Sequence, residues 1–357
     1  MKAPLQPLKS LVDTVPAIRE PRIWREEQRL FLEDALERFT LEKPEHGNLS
    51  DYRNALRRHR VTYSEYMYSY EFWRMDETQR AAFLSNSEAH CIYRALGNGQ
   101  VRNVFRNKPL FLKRFAPFVH RRWALASDLS EAAFTRLFSG AGCIAKPMDG
   151  ARGAGILKLH GAGGNDAASV YRKCVSDHLL IEEYIHSCDE LAAFHPASLN
   201  TLRVVTVSEK DRCEIFGAIL RMGTGVSVID NTHAGGIYAP VNLVTGRIEM
   251  AAIDNRNRRY ERHPDTDVPI VGFQVPAWEA VLDVCRRATR QMPGIRFAGW
   301  DVAVLPGGVI ELIEGNHAPD FDGGLQAPLK VGVKKRFQET VQRVMGIDPL
   351  KRIRYYK

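Results

Sequence analysis

Two short apolar runs, Gly299-Trp300-Asp301-Val302-Ala303-Val304-Leu305 and Val309-Ile310-Glu311-Leu312-Ile313-Glu314-Gly315-Asn316, flank the tripeptide Pro306-Gly307-Gly308. Runs of this length around a Pro-Gly-Gly turn predict a β-hairpin. Side chains alternate faces along a strand, which groups Asp301 with Ala303 and Leu305, and Glu314 with Asn316, Leu312 and Ile310. Two carboxylates and one amide oxygen are then gathered at one end of a shared face.

A surface hairpin with scattered acids would show the same spacing. Acids embedded in otherwise apolar strands argue for more, because an unpaired buried carboxylate costs several kcal/mol and a bound cation removes that cost. Hard, oxygen-only ligands such as Asp301, Glu314 and Asn316 suit Mg²⁺, which keeps several waters and completes its shell with a substrate phosphate.

With 357 residues the chain is long enough for two or three subdomains around a sizeable core. Hydrophobic content of 45% and charged content of 26% are ordinary for a globular protein. No run of eighteen apolar residues occurs, so no membrane span is expected. Met1-Lys2-Ala3-Pro4-Leu5-Gln6-Pro7 lacks the apolar core of a signal peptide. The six cysteines include no Cys-x-x-Cys pair, which disfavours a zinc site or a disulfide framework and points to the cytoplasm. Part of the +8 charge is concentrated, since the stretch 102–122 holds Arg102, Arg106, Lys108, Lys113, Arg114, Arg121 and Arg122 and no acid. Such a segment reads as a solvated basic helix face or as a surface for nucleotide phosphates, nucleic acid or anionic lipid. Signatures of the common nucleic-acid modules are absent, so nucleic acid is not expected as a partner, whereas peripheral contact with an anionic membrane stays open.

From about Pro21 to Phe105 the pattern is mostly helical. Ile23 to Phe39 suits an amphipathic helix broken near Pro44 and Gly47, and the aromatic stretch Ser64 to Trp73 reads as packing between helices. From Cys143 onward short β-rich runs take over. Cys143 to Pro147 and Gly155 to Leu159 flank a glycine-rich loop, Leu179 to Ile185 reads as a strand, and Thr201 to Val207 with Glu214 to Met222 predicts a second hairpin. Pro276 to Gln291 reads as a helix with proline near its start. The expectation is an α+β body behind a helical N-terminal region.

Met148-Asp149-Gly150-Ala151-Arg152-Gly153-Ala154-Gly155 offers glycine backbone N–H groups to phosphate oxygens, yet matches neither the P-loop nor the dinucleotide-binding spacing. Lys146 ends an apolar strand just before it, where a buried ammonium needs an anionic partner.

Lys146-Pro147, the glycine-rich loop, the Glu182-Glu183-Tyr184-Ile185 strand and the Asp301, Glu314, Asn316 hairpin together resemble, in kind and order, the ATP-grasp superfamily over roughly 107–329. The thirteen-residue separation of Asp301 and Glu314 and the Glu-x-Asn ending are similar to the D-alanine:D-alanine ligases. Tyr63-Ser64-Glu65-Tyr66 and Ser198-Leu199-Asn200-Thr201-Leu202-Arg203 look more narrowly like the sugar-transfer-associated ATP-grasp proteins.

The resemblance implies an ATP-grasp fold of two α+β lobes clasping ATP: a helical region over 1–105, a first lobe over 106–180 with the glycine-rich loop, and a second over 181–357 with the metal hairpin and a C-terminal helix. It implies that Lys108 and Lys146 contact phosphate, and that Gly150, Arg152, Gly153 and Gly155 close over it. Glu182, Glu183, Tyr184 and Ile185 would line the adenine pocket, and Asp189 or Glu190 would hold the ribose hydroxyls. Arg203 and Arg221, with Lys146, would stabilise a phosphate or an acyl-phosphate during catalysis, and Mg²⁺ would sit on Asp301, Glu314 and Asn316. Peptide-forming ligases continue from Glu-x-Asn into a Ser-Pro-Gly segment, whereas this chain reads His317-Ala318-Pro319-Asp320-Phe321-Asp322, so the acceptor side is less defined; His233, Asp320 and Asp322 are its candidate contacts.

The function implied is an ATP- and Mg²⁺-dependent, ADP-forming carboxylate-amine ligase of glycan or related metabolite biosynthesis, acting on small-molecule carboxylate and amine substrates. A kinase for a sugar or metabolite hydroxyl, or a non-catalytic nucleotide-binding partner of glycosyltransferases, are the alternatives.

Overall fold

The computed structural model describes residues 20–139, 142–148, 155–159, 167–225, 235–320 and 325–352. Two antiparallel sheets carry the body. Strands β1 (Trp123–Leu125), β2 (Cys143–Pro147), β3 (Leu157–Leu159) and β4 (Leu179–Glu183) form one in the order β1-β4-β2-β3. Strands β5 (Leu202–Glu209), β6 (Arg212–Met222), β7 (Ile237–Pro240), β8 (Ala252–Ile253), β9 (Arg259–Tyr260), β10 (Phe297–Val304) and β11 (Ile310–Asn316) form the other in the order β11-β10-β5-β6-β7-β8-β9. The expected boundary between 180 and 181 falls inside β4, whose whole length belongs to the four-stranded sheet.

The hairpin read from the sequence is β10–β11. Its turn needs glycine, because Gly307 and Gly308 have φ of 74° and 77°. Asp301 lies directly opposite Glu314 and Gly299 opposite Asn316. The faces differ from the simple alternation expected. Between these pairs and the next, Val302 with Leu312 and Ala303 with Glu311, the register shifts by a bulge that leaves Ile313 over. Glu311 therefore shares the Asp301 face, and Leu312 and Ile310 turn to the other.

That other face builds the main core. Val204, Ala218, Leu220, Trp300, Val302 and Leu312 pack with the helix Trp278–Gln291 and with Phe105, Phe111 and Phe115 of the segment before β1. The indole of Trp300 donates to Thr206 Oγ1 at 3.1 Å and Thr289 Oγ1 at 3.0 Å, so its one polar atom is satisfied while its ring packs edge-on against Phe105 and Phe115. On the Asp301 face, Val205, Val207, Phe216 and Phe297 are covered by Phe337 and Val341 of the helix Lys334–Met345. Beyond that cover the same face turns polar, and the candidate site lies there.

The N-terminal helices Glu20–Glu42 and Leu49–His59 enclose Tyr52, Tyr63, Tyr66, Tyr70 and Phe72, all fully buried, so the aromatic stretch is core packing as expected. Fully buried Gln326 ties this region to the body: its Oε1 accepts from Leu84 N (2.9 Å) and Val333 N (3.0 Å), and its Nε2 donates to Leu84 O (2.8 Å) and the Tyr70 hydroxyl (3.0 Å).

Gly315 is a point of close approach to the hairpin. A Cβ there would lie 2.9 Å from Phe111 Cε2 and 3.0 Å from Phe105 Cε2, two rings held against each other, with Phe105 also packed on Trp300. Gly315→Ala is expected to destabilise the protein by about 1–3 kcal/mol through overpacking, measured as a lowered midpoint in denaturant at unchanged m-value.

Candidate functional site

At the polar end of the large sheet, three neighbouring strands place charges side by side. Arg203 on β5 pairs in register with Asp301 on β10, which pairs with Glu314 on β11. Arg203 grips both oxygens of Asp301, through Nε to Oδ1 and Nη2 to Oδ2 at 2.9 Å. Arg221, on β6, brings its Nη2 to the same Oδ2 at 2.9 Å and is itself held by Thr201 Oγ1 at 2.6 Å. Burial opposes ionisation of Asp301, but the two guanidinium groups prevail and hold its carboxyl well below the usual carboxylate range. The two arginines expected on the hairpin arms therefore converge, and on Asp301.

Glu314 behaves in the opposite sense. Its carboxyl is pushed up to about 7, first by the protein crowded around it and then by the Asp301 carboxylate beside it. Solvent reaches this residue, which discounts the crowding, and the Asp301 carboxylate directly opposite is the cause that geometry supports. The register that sets Glu314 opposite Asp301 brings the two carboxyls together, so each raises the cost of ionising the other. Like charges held opposite one another are what a divalent cation relieves. Asn316, on the same face, adds an amide oxygen that also accepts from Ala318 N at 2.9 Å. These oxygen donors fit Mg²⁺, with Asp301 the most encumbered because both its oxygens already accept from arginine. Among the described residues no group of three His, Cys, Asp or Glu forms a metal cluster; the donors here are two carboxylates and an amide.

Lys146 approaches from the other sheet. It is nearly buried on β2, and its Nζ lies 2.6 Å from Glu182 Oε2 on β4. The other oxygen of Glu182 meets Arg121 Nη2 at 3.2 Å, while Arg121 Nη1 pairs with Glu311 of the hairpin. Burial would raise the Glu182 carboxyl, yet Arg121 and Lys146 hold it down to about 2. Glu182, expected to line an adenine pocket, has its carboxylate committed to these two cations, and its position in β4 pairs with Trp123 on one side and Ile144 on the other.

Of the other expected residues, Glu183 pairs with Arg122 at 3.1 Å. Tyr184 receives Lys158 Nζ on its hydroxyl at 2.6 Å, with the ammonium 4.0 Å from the ring centre, an interaction the sequence did not flag. Ile185 is half-buried, and Asp189 and Glu190 are exposed at the start of the short helix Asp189–Ala192. Lys108 begins the helix Lys108–Arg114, and its N–H reaches Met148 O at 3.5 Å, which sets it beside the strand end that leads into the glycine-rich loop. Gly155, with φ of 76°, sits where a Cβ would lie 2.9 Å from Pro147 Cγ. Asp320 is exposed, 3.8 Å from His90 Nε2. Gly150, Arg152, Gly153, His233 and Asp322 lie outside the described residues. Arg121 and Glu311 were missed. An acid inside the apolar run Val309 to Ile313 and an arginine in the acid-free segment were the signals available.

Two α+β bodies, one presenting a lysine and the other an acidic hairpin, define an ATP-grasp fold. The model of the sugar-transfer associated ATP-grasp family matches residues 126–342, more than half of the chain, and the chain belongs to that family. A search of curated proteins gave no match. Among solved structures, the chain is similar to the ATP-grasp ligase PsnB complexed with precursor peptide PsnA2 and AMPPNP, at 15% identity over 71% of this chain and 63% of that one, with a TM-score of 0.44. It is also similar to carboxyaminoimidazole ribonucleotide synthase from Aspergillus clavatus complexed with ATP (13% identity, 65% and 53% coverage, TM-score 0.39) and to L-amino acid ligase from Bacillus licheniformis (11% identity, 70% and 47% coverage, TM-score 0.38). The chain thus spans less than two thirds of the length of each of these proteins. Among the described residues no helix is long and apolar enough to cross a membrane.

The two hairpin acids carry different loads. Asp301→Asn leaves two guanidinium groups without their shared anion and is expected to cost about 3–5 kcal/mol of stability, whereas Glu314→Gln should stay within about 1 kcal/mol of the parent. Equilibrium denaturation of both variants checks this; equal losses would contradict the pairing described.

Proposed function

We propose that the protein is an ATP- and Mg²⁺-dependent carboxylate-amine ligase, ADP-forming and working through an acyl-phosphate, in glycan or related metabolite biosynthesis in the cytoplasm. Family membership supports the nucleotide half of this reading, and the description of that family as sugar-transfer associated supports the glycan setting. The observation that carries it is the register of Asp301 against Glu314, with Arg203 and Arg221 on one side and Lys146 close enough to act on Glu314 from the other sheet. We take the two sheets as the lobes that clasp the nucleotide.

In this reading Lys146 and Lys108 hold phosphate oxygens, and the glycine-rich loop closes over them. The segment after β4, Tyr184 and Ile185 onward, receives the adenine, with Asp189 or Glu190 at the ribose. Glu314, Asn316 and Asp301 would hold Mg²⁺, which supplies charge neutralisation along the phosphates. Arg203 and Arg221 lie where negative charge builds as the γ-phosphoryl passes to a substrate carboxylate. Neither arginine needs to move far, because Asp301 already fixes both. The amine then attacks the acyl carbon, the C–N bond forms, and phosphate leaves with the C–O bond electrons. Asp320 flanks the hairpin end on the acceptor side, with Asp322 and His233 as the other candidate contacts. Most of the rate comes from positioning.

Removing the Lys146 ammonium should weaken nucleotide binding. Lys146→Ala is expected to lose about 1.5–3 kcal/mol of ATP affinity by calorimetry, and unchanged affinity would remove Lys146 from the site. Glu314→Gln should abolish Mg²⁺-dependent ADP production while the protein stays folded.

Ligase and kinase outcomes separate on stoichiometry. Screened with uronic acids and amino acids, a ligase releases one phosphate per ADP only when carboxylate and amine are both present. ADP release with a hydroxyl substrate alone, without free phosphate, would replace this proposal with the kinase.

A further inference from the structure

The interaction that joins the two halves of the site involves a residue outside the 126–342 span matched by the family. Arg121 sits just before β1, and its side chain is 2% exposed. One end of the guanidinium, Nη2, meets Glu182 Oε1 at 3.2 Å and donates to Ile313 O at 3.2 Å. The other, Nη1, meets Glu311 Oε1 and donates to Leu312 O at 2.9 Å. Glu311 Oε2 accepts in turn from His120 N at 2.7 Å.

Each contact bears on the site. Glu182 is the carboxylate that holds Lys146, so Arg121 fixes one oxygen of Glu182 and leaves the other for the ammonium. An ammonium has three donors, and with one aimed at Glu182 the remaining directions are set. Ile313 is the extra residue of the bulge, and that bulge puts Glu314 opposite Asp301. Arg121 donates to the carbonyl of that extra residue and to the one before it, which ties the bulge to the segment leading into β1. A single planar fork thus sets the lysine of one sheet and the acidic strand of the other. An ammonium in its place could not span both carboxylates. Arg121, Lys146, Glu182 and Glu311 balance as two cations and two anions. A buried group of this kind is weak evidence for stability alone, which leaves positioning as the reason to keep it.

We propose that Arg121 is the positioning residue of the site: it orients Lys146 through Glu182 and holds the hairpin bulge through Leu312 and Ile313. The inference rests on the reading of Lys146 as a phosphate contact. A double-mutant cycle tests it, with the affinity of the full chain for Mg²⁺ and a non-hydrolysable ATP analogue measured by calorimetry for parent, Arg121→Lys, Lys146→Ala and the double variant. Arg121→Lys keeps the buried positive charge, so the fold is expected to persist, which near-ultraviolet circular dichroism checks; Glu311→Gln serves as a second probe if it does not. Arg121→Lys should weaken binding on the order of tenfold in the parent, as loss of a supporting contact does, and less than about twofold in the Lys146→Ala background. The same loss in both backgrounds marks a merely structural arginine and overturns the proposal. Parent-like affinity in Arg121→Lys, with Lys146→Ala weakened, overturns it while leaving the reading of Lys146 standing. Parent-like affinity in Lys146→Ala overturns the reading of Lys146, and this proposal with it.

Discussion

A carboxylate in the middle of a strand buried on both faces must be matched by cations, and the arrangement around Asp301 follows from that requirement. All eight residues of β10 are buried. Asp301 therefore draws Arg203 from the strand beside it and Arg221 from the strand after that, and both are fixed before any ligand arrives. With its negative charge spoken for, Asp301 can sit opposite Glu314, whose carboxyl it pushes up. The polar end of the sheet is thus a chain of dependent choices: one buried acid, two arginines, and one acid left adjustable at the open edge.

How much of this was legible depended on whether local pattern or long-range pairing decided it. The hairpin, the strands Cys143–Pro147 and Leu179–Glu183, and the helix Trp278–Gln291 follow from periodicity and turn chemistry, and the structure places them within a few residues of expectation. The tyrosines of the aromatic stretch read as packing between helices in preference to a ligand-stacking surface, and they lie in a core cluster. What could not be read is register. The bulge at Ile313 reverses the face of Glu311 relative to simple alternation, and no local signal in Val309 to Asn316 marks it. Glu182 likewise looked like one of two adjacent acids on a strand. Its commitment to Lys146 and Arg121 depends on how β2, β4 and the hairpin meet in space.

The helical region before Cys143 does more than precede the site. Phe105 and Phe111 press on Gly315, the Tyr93 hydroxyl donates to Pro319 O at 2.9 Å, and Gln326 binds Leu84 and Tyr70. Lys334 adds a bridge to Glu88 at 2.8 Å. The chain leaving the hairpin, where an acceptor would approach, is therefore held from both ends by residues that precede the family's span.

Charge separates the two halves of the site in a similar way. The group around Arg121 is closed and balanced, so it presents Lys146 in a fixed place without adding net charge to the cleft. At the hairpin, Asp301, Arg203 and Arg221 carry one positive charge between them, which Glu314 cancels only when it ionises. In the function proposed here, a polyphosphate and its cation would thus meet one rigid lysine, one carboxylate already held by two arginines, and Glu314 at the open edge. A lysine fixed on one side and an acidic edge open to solvent on the other is the arrangement expected when orientation must be set in advance of binding.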